Sequence, residues 1–258
     1  MTNKYLSYDE MRAPKVREMF SRLAERYDLV NDIMSFGMHR PWKRLTVRLA
    51  LDKGARQPSH PGPLPEGEGK ARLRLLDLCC GTGDIGFYAE EAAGGGVRVT
   101  GADFTLPMLA VAKKRKAERR GASAFVQADA LALPFADGSF DAITVGYGLR
   151  NIADPQAALR EMRRVLAPGG RTVVLDFGKP ENPIFRALYQ GYMRVMMTAV
   201  GLLFHGDPQT YLYIPESLKR YPAQRGVERM MREAGFVSAR YEEKLLGTMG
   251  FNIGEAPV

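Results

Sequence analysis

The 258-residue sequence has only two cysteines, Cys79 and Cys80, and they are adjacent. Neighbours on a strand point to opposite faces, which excludes an ordinary disulfide between them. No Cys/His spacing suited to a metal is present, so no metal is expected. Such cysteine usage fits a reducing cytoplasm. Histidine is scarce too, at three, and there is one tryptophan. The opening MTNKYLSYDE has no apolar signal core. The one long apolar, Met-rich stretch, 184–204, is interrupted by Arg186 and Arg194 and weakened by Gln190 and Gly191. That argues against a membrane span and leaves a buried helix, a lid over an apolar substrate or an interfacial helix. Acidic residues are outnumbered, 29 against 37 Lys and Arg, for a formal charge of +8. A basic surface can attract nucleic acid, anionic lipid or acidic substrates. Part of the excess is local: Lys113, Lys114, Arg115, Lys116, Arg119 and Arg120 share one helical stretch, read first as a solvated face. No basic patch interleaved with aromatics and no appended RNA-binding module accompanies it, which argues against nucleic acid.

What is present is a core, at 45% hydrophobic residues, arranged in alternation. Val16, Met19, Phe20, Leu23 and Tyr27 have helical spacing, so an amphipathic helix over 16–27 opens an N-terminal helical entry segment, 1–54. Residues 55–72 hold prolines and glycines without apolar periodicity and are expected to form a flexible loop. From residue 73 onward strands are expected at 73–79, 97–102, 124–127, 140–145 and 172–177, with helices at 85–93, 107–120 and 155–166 and a turn at Pro168-Gly169-Gly170. Alternation of this kind implies an α/β fold, a parallel sheet with helices on both faces. Ligands in such sheets bind at the carboxyl ends of the strands. That edge gathers Gly81–Gly83, Asp103, Asp129 and residues 146–150.

The most specific stretch is LLDLCCGTGD, 75–84. It reads as a buried strand, a glycine turn and a helix start, where Gly81 and Gly83 let a ligand lie against bare backbone and free N–H groups point outward. Gly81-Thr82-Gly83-Asp84-Ile85-Gly86 also satisfies the dinucleotide pattern G-x-G-x-x-G, which alone is weak. Asp77 within the strand and Asp84 at the helix start would sit poorly beside a pyrophosphate. A cofactor with an amino group and a sulfonium, S-adenosylmethionine (SAM), suits them better. Asp103, ending the second strand about 20 residues on, can accept both hydroxyls of a ribose. Asp129, after the third, can accept from an adenine amine.

LLDLCCGTGD, VTGADF, QADALALPF, SFDAITVGYGL and VLAPGGRTVVLDF, in that order from 75 to 177, resemble the class I SAM-dependent methyltransferases. VREMFSRLAERYDLVNDIMSFGMHRPWKR (16–44), YGLRN (147–151), DFGKP (176–180) and YLYIPESLKRYP (211–222) are similar to the signatures of the ubiquinone/menaquinone biosynthesis C-methyltransferases, the UbiE/MenG type. The insertion at 55–72 and the ending LLGTMGFNIGEAPV depart from that pattern.

The resemblance implies a Rossmann-like, mostly parallel seven-stranded sheet, with a helical insertion at 180–222 after strand five in a methyltransferase domain over 73–258. Thr82, Asp103, Asp129, Ala130 and Gly146 occupy the family's SAM-binding positions, and Gly146 stands where many members carry Ser. The family methylates a ring carbon of a reduced polyprenyl quinol, demethylmenaquinol or a methoxy-polyprenyl-benzoquinol, without a metal. Around the quinol oxygen the expected residues are Arg150, Asn151 and Tyr27, with Asp84 facing either SAM's amino group or the base network. Arg150, whose pKa exceeds about 12, would stabilise a phenolate or hold a water rather than act as the base. His39 is a candidate base by residue type, but in an N-terminal turn beside Arg40-Pro41 it is read as a structural or lid residue. The tail of such a substrate implies a cytoplasmic protein that visits the membrane surface, through the basic helix or through 184–204. A homo-oligomer is compatible with the sequence. The competing readings are a methyltransferase for another small molecule or for RNA, and a non-catalytic SAM-binding protein.

Overall fold

The computed structural model describes residues 3, 12–24, 27–52 and 72–258. Three helices come first: α1 (Arg12–Leu23), α2 (Tyr27–Ser35) and α3 (His39–Leu51). The stripe expected as one helix to Tyr27 is thus divided, with α1 ending at Leu23 and Tyr27 opening α2. Most of the proline-rich stretch, 53–71, and the side chain of Tyr27 lie outside the described residues.

Alternation then begins with β1 (Leu73–Leu78), α4 (Asp84–Ala93), β2 (Val97–Asp103), α5 (Leu106–Arg119), β3 (Ala124–Gln127) and β4 (Phe140–Gly146). A 3-10 turn at Leu149–Asn151, α6 (Pro155–Val165) and β5 (Leu166–Phe177) follow. Next come α7 (Pro183–His205), α8 (Gln209–Arg220), α9 (Ala223–Glu233), β6 (Val237–Lys244) and β7 (Met249–Glu255). Helix starts are written in the sequence. Asp154 accepts from Ala157 N–H ahead of Pro155, and Asn182 accepts from Ile184 and Phe185 N–H ahead of Pro183. Each is a polar cap followed by a proline whose missing N–H costs nothing there.

The strands form one seven-stranded sheet of order β3-β2-β1-β4-β5-β7-β6. The first five strands run parallel, while β7 is antiparallel to both β5 and β6. Alternate side chains serve two cores, as pleating requires. Leu75, Ala142, Val173 and Ile253 pack with α3 and α4. Their neighbours Leu76, Ile143 and Val174 pack on the other face with α1, α6 and α9. This is the Rossmann-like arrangement, and strand order reverses between β1 and β4.

One local expectation is corrected. Pro168-Gly169-Gly170 is not a turn outside the sheet but part of a longer β5. Pairing with β4 jumps from Leu166 opposite Phe140 to Arg171 opposite Ala142, so the extra residues form a bulge. Gly169, at φ 70°, supplies the left-handed residue it needs. No helix of the described residues is long and apolar enough to cross a membrane.

Candidate active site

Two cavities lie along the carboxyl edge of the sheet, and Tyr147 belongs to the wall of both. The smaller, about 120 Å³, sits where strand order reverses, the place for a ligand in this architecture. Strand ends build it: Gly81 after β1, Asp103 closing β2, Asp129 and Ala130 after β3, and Gly146 closing β4. Val16 and Phe20 of α1 cover it, and Arg17 lies over the Phe104 ring at 3.8 Å. Asp103 Oδ2 accepts from Gly81 N–H and Oδ1 from Thr105 N–H, both at 2.8 Å. Burial raises the Asp103 pKa against those bonds. Asp129 Oδ1 accepts from Leu131 N–H at 2.9 Å. At Gly146 an added Cβ would press on the Ile85 Cδ1 methyl.

The larger cavity, about 240 Å³, is walled by aromatic and methionine side chains: Trp42, Phe177, Tyr189, Tyr192, Met193 and Met197. Its polar members are few: Asn31, Ser35, His39, Lys43, Arg150 and Thr248. Arg150 is 3% exposed and donates from Nη1 to Asp176 Oδ1 at 2.5 Å and to the Tyr147 carbonyl at 2.7 Å. Its guanidinium also lies 5.0 Å from the Phe177 ring centre. Burial pushes the Asp176 carboxyl upward, and Arg150 pulls the other way.

The residue joining the cavities is strained. Tyr147 has φ 61°, the left-handed region that a large side chain rarely adopts. Its N–H donates to Leu175 O at 2.7 Å, its carbonyl accepts from Arg150 Nη1 and Asn151 Nδ2, and its ring lies 5.4 Å from that of Phe177. Strain held by this many partners is typical of a functional position.

Several expected residues are placed differently. Gly81, Asp103, Asp129, Ala130 and Gly146 come together in the smaller cavity, and Asn151 joins them rather than Arg150, which faces the larger one. Thr82, Gly83 and Asp84 line neither. Gly83 is the left-handed residue before α4, at φ 89°. Thr82 Oγ1 donates to Asp28 Oδ1 at 2.8 Å, so its hydroxyl is committed to α2. Asp84 accepts from Lys43 Nζ at 2.8 Å and from Arg115 Nη2 at 2.6 Å. Burial works to raise its pKa, but the two cations outweigh it and hold the carboxyl below the ordinary range. Arg115 also reaches Asp28 Oδ2 at 2.9 Å and the Thr82 carbonyl at 3.0 Å. This network ties α2 and α3 to the glycine turn. Asp84, expected to face SAM's amino group or the base network, is thus held by two cations, one of which, Lys43, lines the larger cavity.

Asp77 is likewise turned away, accepting from Gly86 N–H at 3.1 Å and Thr144 Oγ1 at 3.0 Å. Burial lifts its pKa to about 7 against those two bonds. Both cysteines are free, with thiol pKa values pushed well above the ordinary range by burial.

Sequence reasoning did not single out Tyr147, Lys43, Asp28 or Asp176. All four stand inside quoted stretches: Asp28 and Lys43 in 16–44, Tyr147 in YGLRN and Asp176 in DFGKP. Acid and base separated by 26 residues, as Arg150 and Asp176 are, leave no local mark.

A family model described as the ubiE/COQ5 methyltransferase family matches residues 8–255. A demethylmenaquinone methyltransferase of Thermus thermophilus is 45% identical over 240 residues, covering 93% of this chain and 100% of the relative. The ubiquinone/menaquinone biosynthesis C-methyltransferase UbiE of Pseudomonas putida is 38% identical over 251 residues, covering 96% and 91%. Among solved structures, phosphoethanolamine N-methyltransferase 2 of Haemonchus contortus, in complex with S-adenosyl-L-methionine, matches with a TM-score of 0.53 at 17% identity. That match covers 74% of this chain and 50% of the other, and is a likeness of fold.

Proposed function

The chain belongs to the ubiE/COQ5 methyltransferase family and is a SAM-dependent C-methyltransferase of quinone biosynthesis, and we propose that it methylates a ring carbon of demethylmenaquinol, with SAM in the smaller cavity and the quinol ring in the larger. The observation that carries this division is the shared wall at Tyr147, which brings a polar, strand-edge cavity against an aromatic one. Identity to a demethylmenaquinone methyltransferase along that relative's whole length supports the choice of quinol.

The smaller cavity fits SAM in its donor set. Asp103 suits the ribose hydroxyls, Asp129 an adenine amine, and Gly81, Ala130 and Gly146 give backbone or little side chain to approach. When bound, SAM supplies an electrophilic methyl on a sulfonium. Asn151 stands on the donor side of Tyr147 and Arg150 on the acceptor side. Arg150, fixed by Asp176, offers a permanent positive charge to a quinol oxygen as it becomes anionic. Lys43 adds a second cation to the same wall. Holding ring carbon and methyl in line is the rest of the catalytic task. Helices α1 to α3 act as the entry segment over both cavities.

The quinol's tail calls for lipid. Ile184, Leu188, Val195 and Leu202 stand exposed along one side of α7, at spacings of four and seven residues. Phe36, Met38, Tyr192 and Leu245 are exposed and also line the larger cavity. This apolar rim supports peripheral contact with a membrane surface at the cavity mouth. The basic helix α5 is the weaker candidate, since Arg115 is drawn inward and Arg119 pairs with Glu91.

The experiment offers three acceptors to the purified protein with SAM: demethylmenaquinol in detergent, a soluble phenol and RNA. Methylation at the quinol ring alone is expected. Transfer to RNA or to the phenol with none to the quinol would contradict the reading.

A further inference from the structure

One of the three histidines, His39, opens α3 and is built into the wall of the larger cavity at 4% exposure. Ser35, four residues earlier, brings its Oγ to 2.8 Å from Nδ1. The direction of that bond follows from the other bonds of Ser35. Its Oγ donates its single proton to the Asn31 carbonyl at 2.7 Å and accepts from His39 N–H at 3.2 Å. A hydroxyl whose proton is committed can only accept from Nδ1. The proton of the neutral imidazole is therefore on Nδ1, and the lone pair is on Nε2. Nε2 has no hydrogen-bond partner among the described residues, and it is not one of the fully sealed unsatisfied atoms. Nε2 thus keeps some accessible surface, on a residue that lines the larger cavity.

We propose that His39 Nε2 is the base that takes the hydroxyl proton of the quinol during methyl transfer. This rests on placing the quinol ring in the larger cavity. The O–H proton passes to Nε2 while the oxygen's electrons move into the ring. The adjacent ring carbon forms its bond to the methyl as the methyl–sulfur bond breaks, and that electron pair stays on sulfur. The carbon's own hydrogen then leaves as a proton to water, and His39 returns its proton to the oxygen. One proton is released per methyl transferred, and no oxidant is consumed.

The surroundings suit a transient proton. The charged groups facing the ring are Asp32 on α2, Arg40 and Lys43 on α3 and Asp84 on α4. Burial first, then Lys43, lowers the imidazole pKa to about 4, so the ring is an empty acceptor at neutral pH. Asp32 Oδ1, 3.7 Å from Nδ1, stabilises the imidazolium while it exists. Arg150 and Lys43 stand in the same wall to meet the anionic oxygen. Arg150 itself is committed to Asp176 and to the Tyr147 carbonyl.

The test compares single-turnover methylation of demethylmenaquinol by wild type, His39→Gln and His39→Ala at saturating SAM, with SAM affinity read by calorimetry and folding by near-UV circular dichroism. Loss of a general base is expected to slow the step by about a hundredfold or more. SAM affinity should stay within about twofold, and added imidazole should restore part of the rate to His39→Ala. A folded His39→Gln protein with a rate within about threefold of wild type overturns the proposal. If neither variant folds, Ser35→Ala decides, because it keeps the imidazole but removes the acceptor that fixes its tautomer. A kcat lower by about tenfold, at unchanged KM for quinol, supports the role; an unchanged kcat overturns it. A wild-type protein that methylates no quinol overturns the functional reading, and the His39 role with it. A wild type that does so while His39→Gln keeps pace overturns the His39 role alone.

Discussion

Arg150 Nη1 donates to the carbonyl oxygen of Tyr147 at 2.7 Å, which ties a buried cation of the larger cavity to the residue that the two cavities share. The expected outcome for Arg150→Ala is loss of quinol methylation by about a hundredfold or more, with SAM affinity nearly intact, because Arg150 lines only the acceptor side. The same change leaves Asp176 buried without its partner, so unfolding free energy should fall by about 3–5 kcal/mol. Single-turnover rates, calorimetry and urea titration separate the three effects. Undiminished turnover contradicts the role given to Arg150.

Asp103 lines only the smaller cavity, the one proposed for SAM. Asp103→Ala removes the carboxylate offered to the ribose and also frees the Gly81 and Thr105 N–H groups it holds. Loss of charge-assisted hydrogen bonds of this kind should weaken SAM binding by about tenfold or more. Unchanged SAM affinity in calorimetry would refute the assignment.

Two buried groups give opposite pH signatures in stability. Burial raises the Asp77 pKa from 3.8 to about 7, so the folded state holds an extra proton between those values. Its contribution is complete below about pH 4 and is lost as pH rises through 7. Burial and Lys43 lower the His39 pKa from 6.5 to about 4, so its contribution is complete above 6.5 and is lost as pH falls toward 4. Urea midpoints at pH 5 and pH 7 check both signs. The gap between wild type and Asp77→Asn should be wider at pH 5 on Asp77's account, and that between wild type and His39→Gln wider at pH 7. Gaps that do not change with pH contradict both shifts.

The apolar side of α7 predicts a lipid-dependent phenotype. Val195→Glu and Leu202→Glu alter exposed positions and should leave SAM affinity unchanged while lowering co-sedimentation with vesicles and turnover of long-tailed quinol. Turnover of a quinol with a short tail should be spared. Equal loss with both substrates would point to damage in the cavity instead.

The sheet was legible from sequence because pleating writes itself into adjacent pairs such as Leu75-Leu76 and Val173-Val174, each side chain serving a different core. The residues of the sheet's carboxyl edge were legible for the same reason: Asp103, Asp129 and Gly146 stand at or just after strand ends. What was not legible was the set of partners that polar side chains find. Asp84 stands at the helix start as expected, but Lys43, 41 residues away in sequence, and Arg115 from α5 capture it. Thr82 turns to Asp28 because α2 packs over the glycine turn. Local pattern carries no information about such distant partners. The bulge in β5 was hidden by Pro168-Gly169-Gly170, whose composition matches a free turn as well as a strand irregularity.

The most direct test of the two-cavity account is the structure of the complex with S-adenosylhomocysteine and a short-tailed demethylmenaquinone. The account predicts the ribose on Asp103, the sulfur beside Tyr147, and the ring in the aromatic cavity with one oxygen toward Arg150 or His39. A quinone ring bound outside that cavity, or one separated from the sulfur by the Tyr147 side chain with no open path, would contradict it.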